Sequence, residues 1–370
     1  MYIEHLSAFH FRNLKKLDVA LEPRLVVMRG DNGQGKTNLL EALYVCATGR
    51  SFRTTSAREL VTHGEERAGI QAVFVRQGVR HQIEITLDNG RRRIAVDGRY
   101  LKQLSRLLEV INVVAFFPDD LRIVKGSPEE RRRFFDRAIA NYDAAFVNAA
   151  VAYQKVLKQR NALLRTPGSF DKNLIAVLDE QLMQYGDVIQ SARQRYIDEV
   201  MPAVQKQFNA IMGEGRAIGL RLLSGVRDEN GGAFRDNFAK ALRENIARDR
   251  ARGMTLSGPH RADILIEVNG AAGRQFASQG QQRGAVLAMK LAEVAFLRER
   301  MGFAPIVLLD DISSEFDRQR NRMLMTRIGE LESQVWLSTT GLVELDYPAA
   351  TQVFNVQNGV LSAEKAGSEY

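Results

Sequence analysis

Short apolar segments alternate with polar ones over residues 1–120, and this pattern predicts β-strands around one helix. Two dipeptides that favour tight turns, Asn89-Gly90 and Asp97-Gly98, lie between apolar segments and predict an antiparallel subsheet. The predicted elements are strands over Leu17–Leu21, Leu25–Met28, His81–Leu87 and Arg93–Val96, and a helix from Thr37 to about Cys46.

The spacing of apolar positions changes to three and four between residues 127 and 252, which is the period of helices. Residues 127–130 (Ser-Pro-Glu-Glu) are typical of a capped helix N-terminus. One apolar stripe covers Phe135–Val156, residues 166–169 interrupt it, and a second covers Ile175–Tyr196. The two stripes predict an antiparallel helical hairpin whose first helix has about 38 residues, although two ordinary core helices would give the same pattern.

Strand-length and helical segments alternate again from residue 255, so α/β patterns flank the helical region on both sides. We therefore expect one discontinuous α/β domain of residues 1–126 and 255–370, with residues 127–254 inserted as a helical lobe that includes a short antiparallel hairpin. The elements predicted here are strands over Ala262–Val268, Ile306–Leu309 and Val335–Ser338, and helices over Gln279–Arg300 and Gln319–Leu331.

Composition narrows the function classes. The 370 residues are 45% hydrophobic, as in globular proteins, and carry a net charge of +8 that points to nucleic acid or another acidic partner. A single cysteine, Cys46, permits no intrachain disulfide and fits a reducing cytoplasm. No apolar segment reaches the roughly 18 residues that span a bilayer, and the N-terminus lacks the pattern of a signal peptide, so we expect a cytoplasmic protein with no membrane partner.

The segment between the strand ending at Met28 and the next helix fits the pattern G-x-x-x-x-G-K-[ST] of a phosphate-binding loop. Glycines let successive backbone N–H groups converge on phosphate oxygens, and the helix N-terminus adds positive potential. Lys36 would reach the β- and γ-phosphates, and the Thr37 hydroxyl would bind Mg²⁺. The pattern predicts a nucleotide-binding site formed by Gly30, Asp31, Asn32, Gly33, Gln34, Gly35, Lys36 and Thr37.

A second motif, Pro305–Asp311, has four apolar residues followed by two aspartates, which is typical of a Walker B strand. Asp310 is the candidate carboxylate for Mg²⁺, and Asp311 stands where an acid that polarises the attacking water is needed. An exposed aspartate pair at the end of an ordinary strand is the alternative.

A third segment, Ala277–Arg283, opens a helix with a serine and a glycine, which form either a plain helix cap or an anion site. The order of phosphate loop, helical insert, Ser278-Gln279-Gly280-Gln281 and Walker B strand resembles that of the ABC-type ATPases. In that class this signature segment is presented to ATP held by a second subunit.

More specific motifs extend over the whole chain and resemble the RecF family of bacterial recombination mediators. They are Phe11-Arg12-Asn13, Gly49–Phe52 with Arg53, Phe117–Leu121, Leu157–Asn161, Ser257–Asp263 and Asp310–Asp317. The resemblance implies an ABC-type ATPase head, a mixed α/β fold with a phosphate loop, and an inserted helical-hairpin lobe. It also implies a weak ATPase that dimerises on ATP, binds gapped or junction DNA and, with RecR and RecO, helps to load RecA.

The resemblance also assigns roles to single residues. Arg12 and Asn13 would approach the nucleotide, Asp310 would bind the metal, and Asp311 would act on the attacking water as the catalytic residue. Three residues of the signature segment would act in trans, namely Ser278, Gly280 and Gln281. Asp317 would belong to the D-loop that connects the two sites.

Two departures from the wider ABC pattern concern the γ-phosphate. No glutamine stands near Asp119-Asp120, so no Q-loop ligand is predicted, and Thr339-Thr340 replaces the usual switch histidine. We therefore expect slow hydrolysis. Other P-loop classes fit less well. A transporter subunit would have the switch histidine, and an SMC head would have much longer arms. A P-loop kinase would have no signature segment.

Two basic segments of the helical region are candidates for a DNA-binding arm surface. Arg131-Arg132-Arg133 opposes the helix dipole at a helix start, which suggests an external anion, and Arg243–Arg252 forms a second basic stripe. A solvated helix face explains either segment equally well.

Overall fold

The computed structural model describes residues 1–22, 24–166, 168, 171–227, 231–311, 318–330, 332–340 and 351–364. The chain forms two units: Met1–Leu121 with Lys290–Tyr370, and Arg122–Met289. The second unit therefore includes residues 255–289, which the sequence pattern placed in the α/β domain. The reason is strand pairing, because the strand Asp263–Val268 pairs with Ile218–Leu223.

The first unit contains two six-stranded sheets. One is antiparallel, in the order β2-β1-β4-β5-β6-β7. Its strands are β1 (Tyr2–Phe11), β2 (Leu14–Ala20), β4 (Arg67–Arg76), β5 (Val79–Asp88), β6 (Arg91–Val96) and β7 (Arg99–Tyr100). Strand β1 was not predicted, because a register shift between Ile3 and His5 interrupts the alternation of apolar and polar residues.

The other sheet has the order β15-β14-β3-β13-β12-β8 and is parallel except for the β14–β15 pair. Its strands are β3 (Leu25–Arg29), β8 (Val113–Phe116), β12 (Ile306–Leu309), β13 (Val335–Thr339), β14 (Thr351–Gln357) and β15 (Val360–Ala363). Leu337 of β13 pairs with Val27 of β3 on one side and Leu309 of β12 on the other. The segments that follow these three parallel strands therefore begin at one edge of the sheet.

Helix α1 (Lys36–Thr48) packs against strands of both sheets, and its apolar residues belong to the core cluster that includes Leu6, Ile70 and Trp336. Gly49 ends α1 in the left-handed conformation, with φ 66°. The predicted strands and helix are thus present, with bounds that differ by a few residues.

The second unit is built around helices α2 (Pro128–Ala140), α3 (Ala144–Arg165), α4 (Lys172–Met212), α5 (Phe234–Glu244) and α6 (Ile246–Arg252). The predicted capping box is present, since Ser127 and Glu130 bond each other's backbone N–H groups. The predicted single first helix is wrong: α2 ends at Ala140 with Asn141 as its C-cap, and Asp143 caps α3 by accepting a hydrogen bond from the Phe146 N–H at 2.9 Å. The apolar stripe continues across this break, which explains why the pattern did not show it.

Helices α3 and α4 pack along each other, and Arg160 near the end of α3 meets Asp179 near the start of α4, as an antiparallel hairpin requires. Three short strands complete the unit in the order β11-β10-β9: β9 (Ile218–Leu223), β10 (Asp263–Val268) and β11 (Ala271–Ala272). The helices α7 (Gly273–Phe276) and α8 (Gln279–Met301) follow, and α9 (Arg318–Gly329) lies in the first unit. Within the described ranges, no helix has the length and apolar character to cross a membrane.

Candidate nucleotide site

The phosphate-loop residues lie between β3 and α1, as predicted. Gly33 and Gly35 have φ of 80° and 116°, which favour glycine. The N-cap of α1 is Gly35, which has no side chain with which to cap the first N–H groups of that helix. The Lys36 ammonium donates to the carbonyl oxygens of Gly30 and Asp31, at 2.5 and 2.8 Å, and therefore lies over the loop. These features form a cradle for anionic oxygens at a helix N-terminus.

Contacts from distant parts of the chain hold the loop in shape. The Gln34 carbonyl accepts hydrogen bonds from Asn13 Nδ2 at 3.2 Å and from the Gly359 N–H at 2.8 Å, and Gln34 Oε1 accepts one from the Asn358 N–H at 2.8 Å. A Cβ on Gly359 would lie 2.2 Å from the Asn13 carbonyl oxygen, so only glycine fits there. The turn between β14 and β15 is thus part of the site. Sequence reasoning missed it, because nothing in Asn358-Gly359 distinguishes it from an ordinary turn.

Arg12 and Asn13 take different positions. Asn13 lies against the loop, and its Oδ1 accepts a hydrogen bond from Asn38 Nδ2 at 2.8 Å. Arg12, by contrast, forms a two-pronged ion pair with Glu41 of α1, at 2.8 and 2.9 Å, and donates to the Glu59 carbonyl. In this structure Arg12 therefore fixes the start of α1 from the side, rather than contacting the phosphate loop.

Glu41 of α1 is the hydrogen-bond partner of the motif Gly49–Arg53, which follows this helix. Its carboxylate is fully buried and receives hydrogen bonds from Arg12, from the Ser51 hydroxyl at 2.5 Å and from Arg53 at 3.4 Å. A buried carboxylate needs such partners. The segment Gly49–Arg53 thus closes the other end of the helix that begins at the phosphate loop.

The residue after the predicted Walker B strand β12, Asp310, contacts the phosphate loop. The Thr37 hydroxyl donates to Asp310 Oδ1 at 2.9 Å, although 273 positions separate the two residues. Asp311 follows with φ 46°, a left-handed conformation that is rare outside glycine. The hydroxyl and the carboxylate are the hard oxygen ligands that Mg²⁺ prefers, so the residues present fit this ion.

Ser338, at the end of β13, joins the two aspartates. Its hydroxyl donates to Asp310 Oδ1 at 2.9 Å and accepts the Asp311 N–H at 2.8 Å, and the side chain is fully buried. Sequence reasoning missed this residue. The signal in the sequence was its place just before Thr339-Thr340, where the ABC-type ATPases have the switch histidine.

Burial shapes the electrostatics of the site. Burial raises the pKa of the Asp310 carboxyl, and the hydrogen bonds from Ser338 and Thr37 oppose this shift. Burial lowers the pKa of the Lys36 ammonium, and the nearby carboxylates of Asp311 and Asp310 raise it. A cation beside Asp310 and an anion beside Lys36 would each stabilise the charged form.

The signature segment lies in the second unit, where Ser278 caps α8. Ser278 Oγ accepts a hydrogen bond from the Gln281 N–H at 3.3 Å, and Gln281 Oε1 accepts one from the Ser278 N–H at 2.8 Å. This is a capping box, so the interpretation as a helix cap is correct as far as it goes. Gly280 lies in the first turn of the same helix. The D-loop residue Asp317 lies outside the described residues.

The proposed basic arm surface needs correction at Arg131. This side chain is buried, with Nε and Nη2 on the carboxylate of Asp263 at 2.7 and 2.8 Å, and it is a structural residue. Arg132 donates to the Ala262 carbonyl, and only Arg133 is well exposed, paired with Glu129. The basic residues at the start of α2 thus have an internal role despite the unfavourable helix dipole, because Arg131 and Arg132 bind the end of the segment Ser257–Asp263.

Comparisons with known proteins agree with this geometry. Residues 2–360 match the model of the RecF/RecN/SMC N terminal domain family. A solved Smc head bound to the C-winged helix domain of ScpA is similar in fold, with a TM-score of 0.56 at 17% identity over 98% of this chain and 97% of that one. The chain therefore has the α/β fold of an ABC-type ATPase head.

Closer relatives identify the branch within this class. The "DNA replication and repair protein RecF" of Clostridium novyi is 36% identical over 365 residues, which are 98% of this chain and all of that protein. The protein of the same name from Citrifermentans bemidjiense is 36% identical over 97% of this chain and 99% of its own length. A solved structure of "the recombination mediator protein RecF-ATP in RecFOR pathway" has a TM-score of 0.88 at 30% identity, over 98% and 97% of the two chains. The chain belongs to the RecF family, whose named members act in DNA replication and repair.

Proposed function

We propose that this protein is an ATP-driven switch that dimerises on ATP, binds gapped or junction DNA and helps to load a recombinase. The observation that carries the proposal is the contact of Thr37 with Asp310, at the end of the phosphate loop whose carbonyls bind the Lys36 ammonium. This contact joins a phosphate loop to a Walker B carboxylate, as ATP with Mg²⁺ requires. The relative solved as "RecF-ATP" supports ATP as the nucleotide.

Each residue then has a defined task. The backbone N–H groups of Gly33 to Thr37 and the Lys36 ammonium bind the phosphates, while Thr37 and Asp310 hold Mg²⁺. The bound nucleotide and metal supply a polarised γ-phosphate. Asp311, whose backbone N–H is fixed by Ser338, orients the attacking water and takes its proton. Thr339-Thr340 in place of a switch histidine supports slow turnover, which suits a switch.

The signature segment supports dimerisation. The Ser278 oxygen accepts from the Gln281 N–H, which leaves the hydroxyl proton to donate to a phosphate oxygen. In the ABC-type ATPases this donor serves the ATP of a second subunit, so we assign Ser278, Gly280 and Gln281 to the site of a partner copy. The resemblance places Asp317 between the two sites.

The net charge of the protein and its similarity to RecF relatives support the DNA and protein partners that we propose. The net charge of +8 favours a phosphate backbone, and a relative is described as a mediator in the RecFOR pathway. We therefore propose DNA with a gap or single-strand–double-strand junction as ligand, RecR and RecO as protein partners, and RecA as the recombinase that benefits. The single cysteine and a DNA ligand both fit the cytoplasm.

Sedimentation tests the proposal. The wild-type protein should be monomeric without nucleotide, dimeric with ATP and Mg²⁺, and should then cosediment with gapped DNA. Lys36→Met should abolish both effects, because the phosphate charge loses its ammonium partner. Lys15→Met, which removes an exposed lysine on β2, should change neither. Equal ATP affinity of the Lys36→Met variant and wild type would refute the nucleotide site.

A further inference from the structure

We propose that the edge of the antiparallel sheet formed by β6 and β7 binds a single strand of DNA, with arginine and lysine on its phosphates and Tyr100 stacked on a base. The inference rests on the proposed function in one respect, that the ligand is DNA. It adds the location of the contact and names the part of a gapped DNA that binds there. We call this region the β6–β7 groove and define it by Arg92, Arg93, Tyr100, Leu101, Lys102 and Leu104.

The groove is a concave site in the first unit. It encloses about 580 Å³, with an apolar floor formed by Leu101, Leu104 and the buried Ile94. Gly49 fixes this floor: a Cβ there would lie 2.7 Å from Leu104 Cδ2 and 2.9 Å from Ile94 Cδ1. The floor is therefore close-packed against the end of α1, so the groove is formed before any ligand arrives.

The walls carry an excess of positive charge. Residues 89–106 contain six basic side chains and one acidic side chain, Asp97. No carboxylate of a described residue lies within ion-pair distance of Arg92, Arg93 or Lys102, whereas Arg67 and Arg80 of the same sheet pair with Asp88 and Glu4.

Arg50, which is outside the groove lining, adds positive charge that acts on Arg92. Burial and the charge of Arg50 both lower the pKa of Arg92. The two guanidinium groups therefore repel each other, and a bound phosphate would reduce the repulsion. The charge pattern thus matches a polyanion.

Tyr100 selects a single strand over a duplex. Its side chain is 72% exposed on the short edge strand β7, although a large aromatic residue gains by burial. A base can cover it only where it is not already stacked between its neighbours, as in single strands. Charge alone would suit a duplex or an acidic protein, and the exposed ring beside the arginines favours the single strand.

The test measures binding of fluorescent oligothymidylate to the full-length protein with ATP and Mg²⁺ at several salt concentrations. Arg93→Ala/Lys102→Ala should reduce the slope of log affinity against log salt by about 1.4, since each lost phosphate contact of a single strand contributes about 0.7. Lys15→Ala/Lys16→Ala removes the same charge from two exposed positions of β2, the opposite edge of the same sheet, and should leave the slope unchanged. ATP affinity should be equal in all three proteins.

Tyr100 variants test the stacking. Tyr100→Ala should lower the affinity at least about fivefold, and Tyr100→Phe should keep it, because the ring rather than the hydroxyl carries the contact. Affinity for a blunt duplex should change little in either variant.

Three results would overturn the inference: equal slopes in the groove and β2 variants, no effect of Tyr100→Ala, or displacement of the oligonucleotide by polyglutamate as effectively as by unlabelled DNA. The last result would make the groove a docking site for an acidic protein. Each leaves the proposed function intact provided that wild type binds DNA. If wild type binds no DNA with or without ATP, the proposed function fails as well.

Discussion

Replacing Ser338 by alanine removes a hydroxyl that bonds to both aspartates of the Walker B strand. Asp310 Oδ1 keeps the Thr37 hydroxyl but loses the donor at 2.9 Å, and the Asp311 N–H loses its acceptor at 2.8 Å. A hydrogen bond to a charged group contributes about 1.5–3 kcal/mol. Loss of a partner that orients a metal ligand weakens metal binding about 10- to 100-fold.

We therefore expect Ser338→Ala to raise the Mg²⁺ concentration for half-maximal ATP hydrolysis about 10- to 100-fold. Binding of ATP without Mg²⁺ should stay near the wild-type level, because the contacts of Lys36 do not involve Ser338. The assay is a Mg²⁺ titration of phosphate release, beside a fluorescent ATP titration in EDTA. Ser362→Ala, at an exposed position of β15 in the same sheet, is the control. An unchanged Mg²⁺ requirement in a folded Ser338→Ala protein would refute the role of Ser338.

Two further predictions concern the second unit. Arg131→Ala should lower the free energy of unfolding of this unit by about 3–5 kcal/mol, because Asp263 loses a buried partner. Arg133→Ala should lower it by less than about 1 kcal/mol, because its ion pair is exposed. Urea unfolding followed by circular dichroism measures both losses, and equal losses would contradict the structural role of Arg131. Burial lowers the pKa of His260 from 6.5 to about 4, so the folded state binds fewer protons than the unfolded state between these values. The contribution of His260 to the free energy of unfolding is fully present above pH 6.5 and should fall by about 3 kcal/mol as the pH drops to 4. His260→Gln should flatten urea stability in that pH window, and an unchanged slope would contradict the assignment.

The parts of the site that the sequence predicts are contiguous motifs. Gly30 to Thr37 form a loop whose shape depends on neighbouring residues, and the continuous apolar segment before Asp310 is typical of a buried parallel strand. Ser338 and Asn358 could not be predicted in the same way. They reach the site only because β13 and β14 both pair with β3, and strand order is not encoded in the local pattern.

Charge patterns mislead for a related reason. Arg131, Arg132 and Arg133 form one basic run in the sequence, but successive residues of a helix point in different directions. Arg131 therefore faces Asp263 in the interior while Arg133 faces solvent. The break between α2 and α3 was hidden in a similar way, because the apolar stripe that packs on α4 continues through it.

ATP hydrolysis by a mixture of two inactive variants tests the central claim, that the active site is shared between two copies. Ser278→Arg blocks the signature segment but keeps the phosphate loop, and Lys36→Met has the opposite defect. Neither variant should hydrolyse ATP alone. Mixed, they should form one complete site per heterodimer and recover at most about half of the wild-type rate. Normal hydrolysis by Ser278→Arg alone would contradict the account, and the segment would then be only the helix cap that the structure shows.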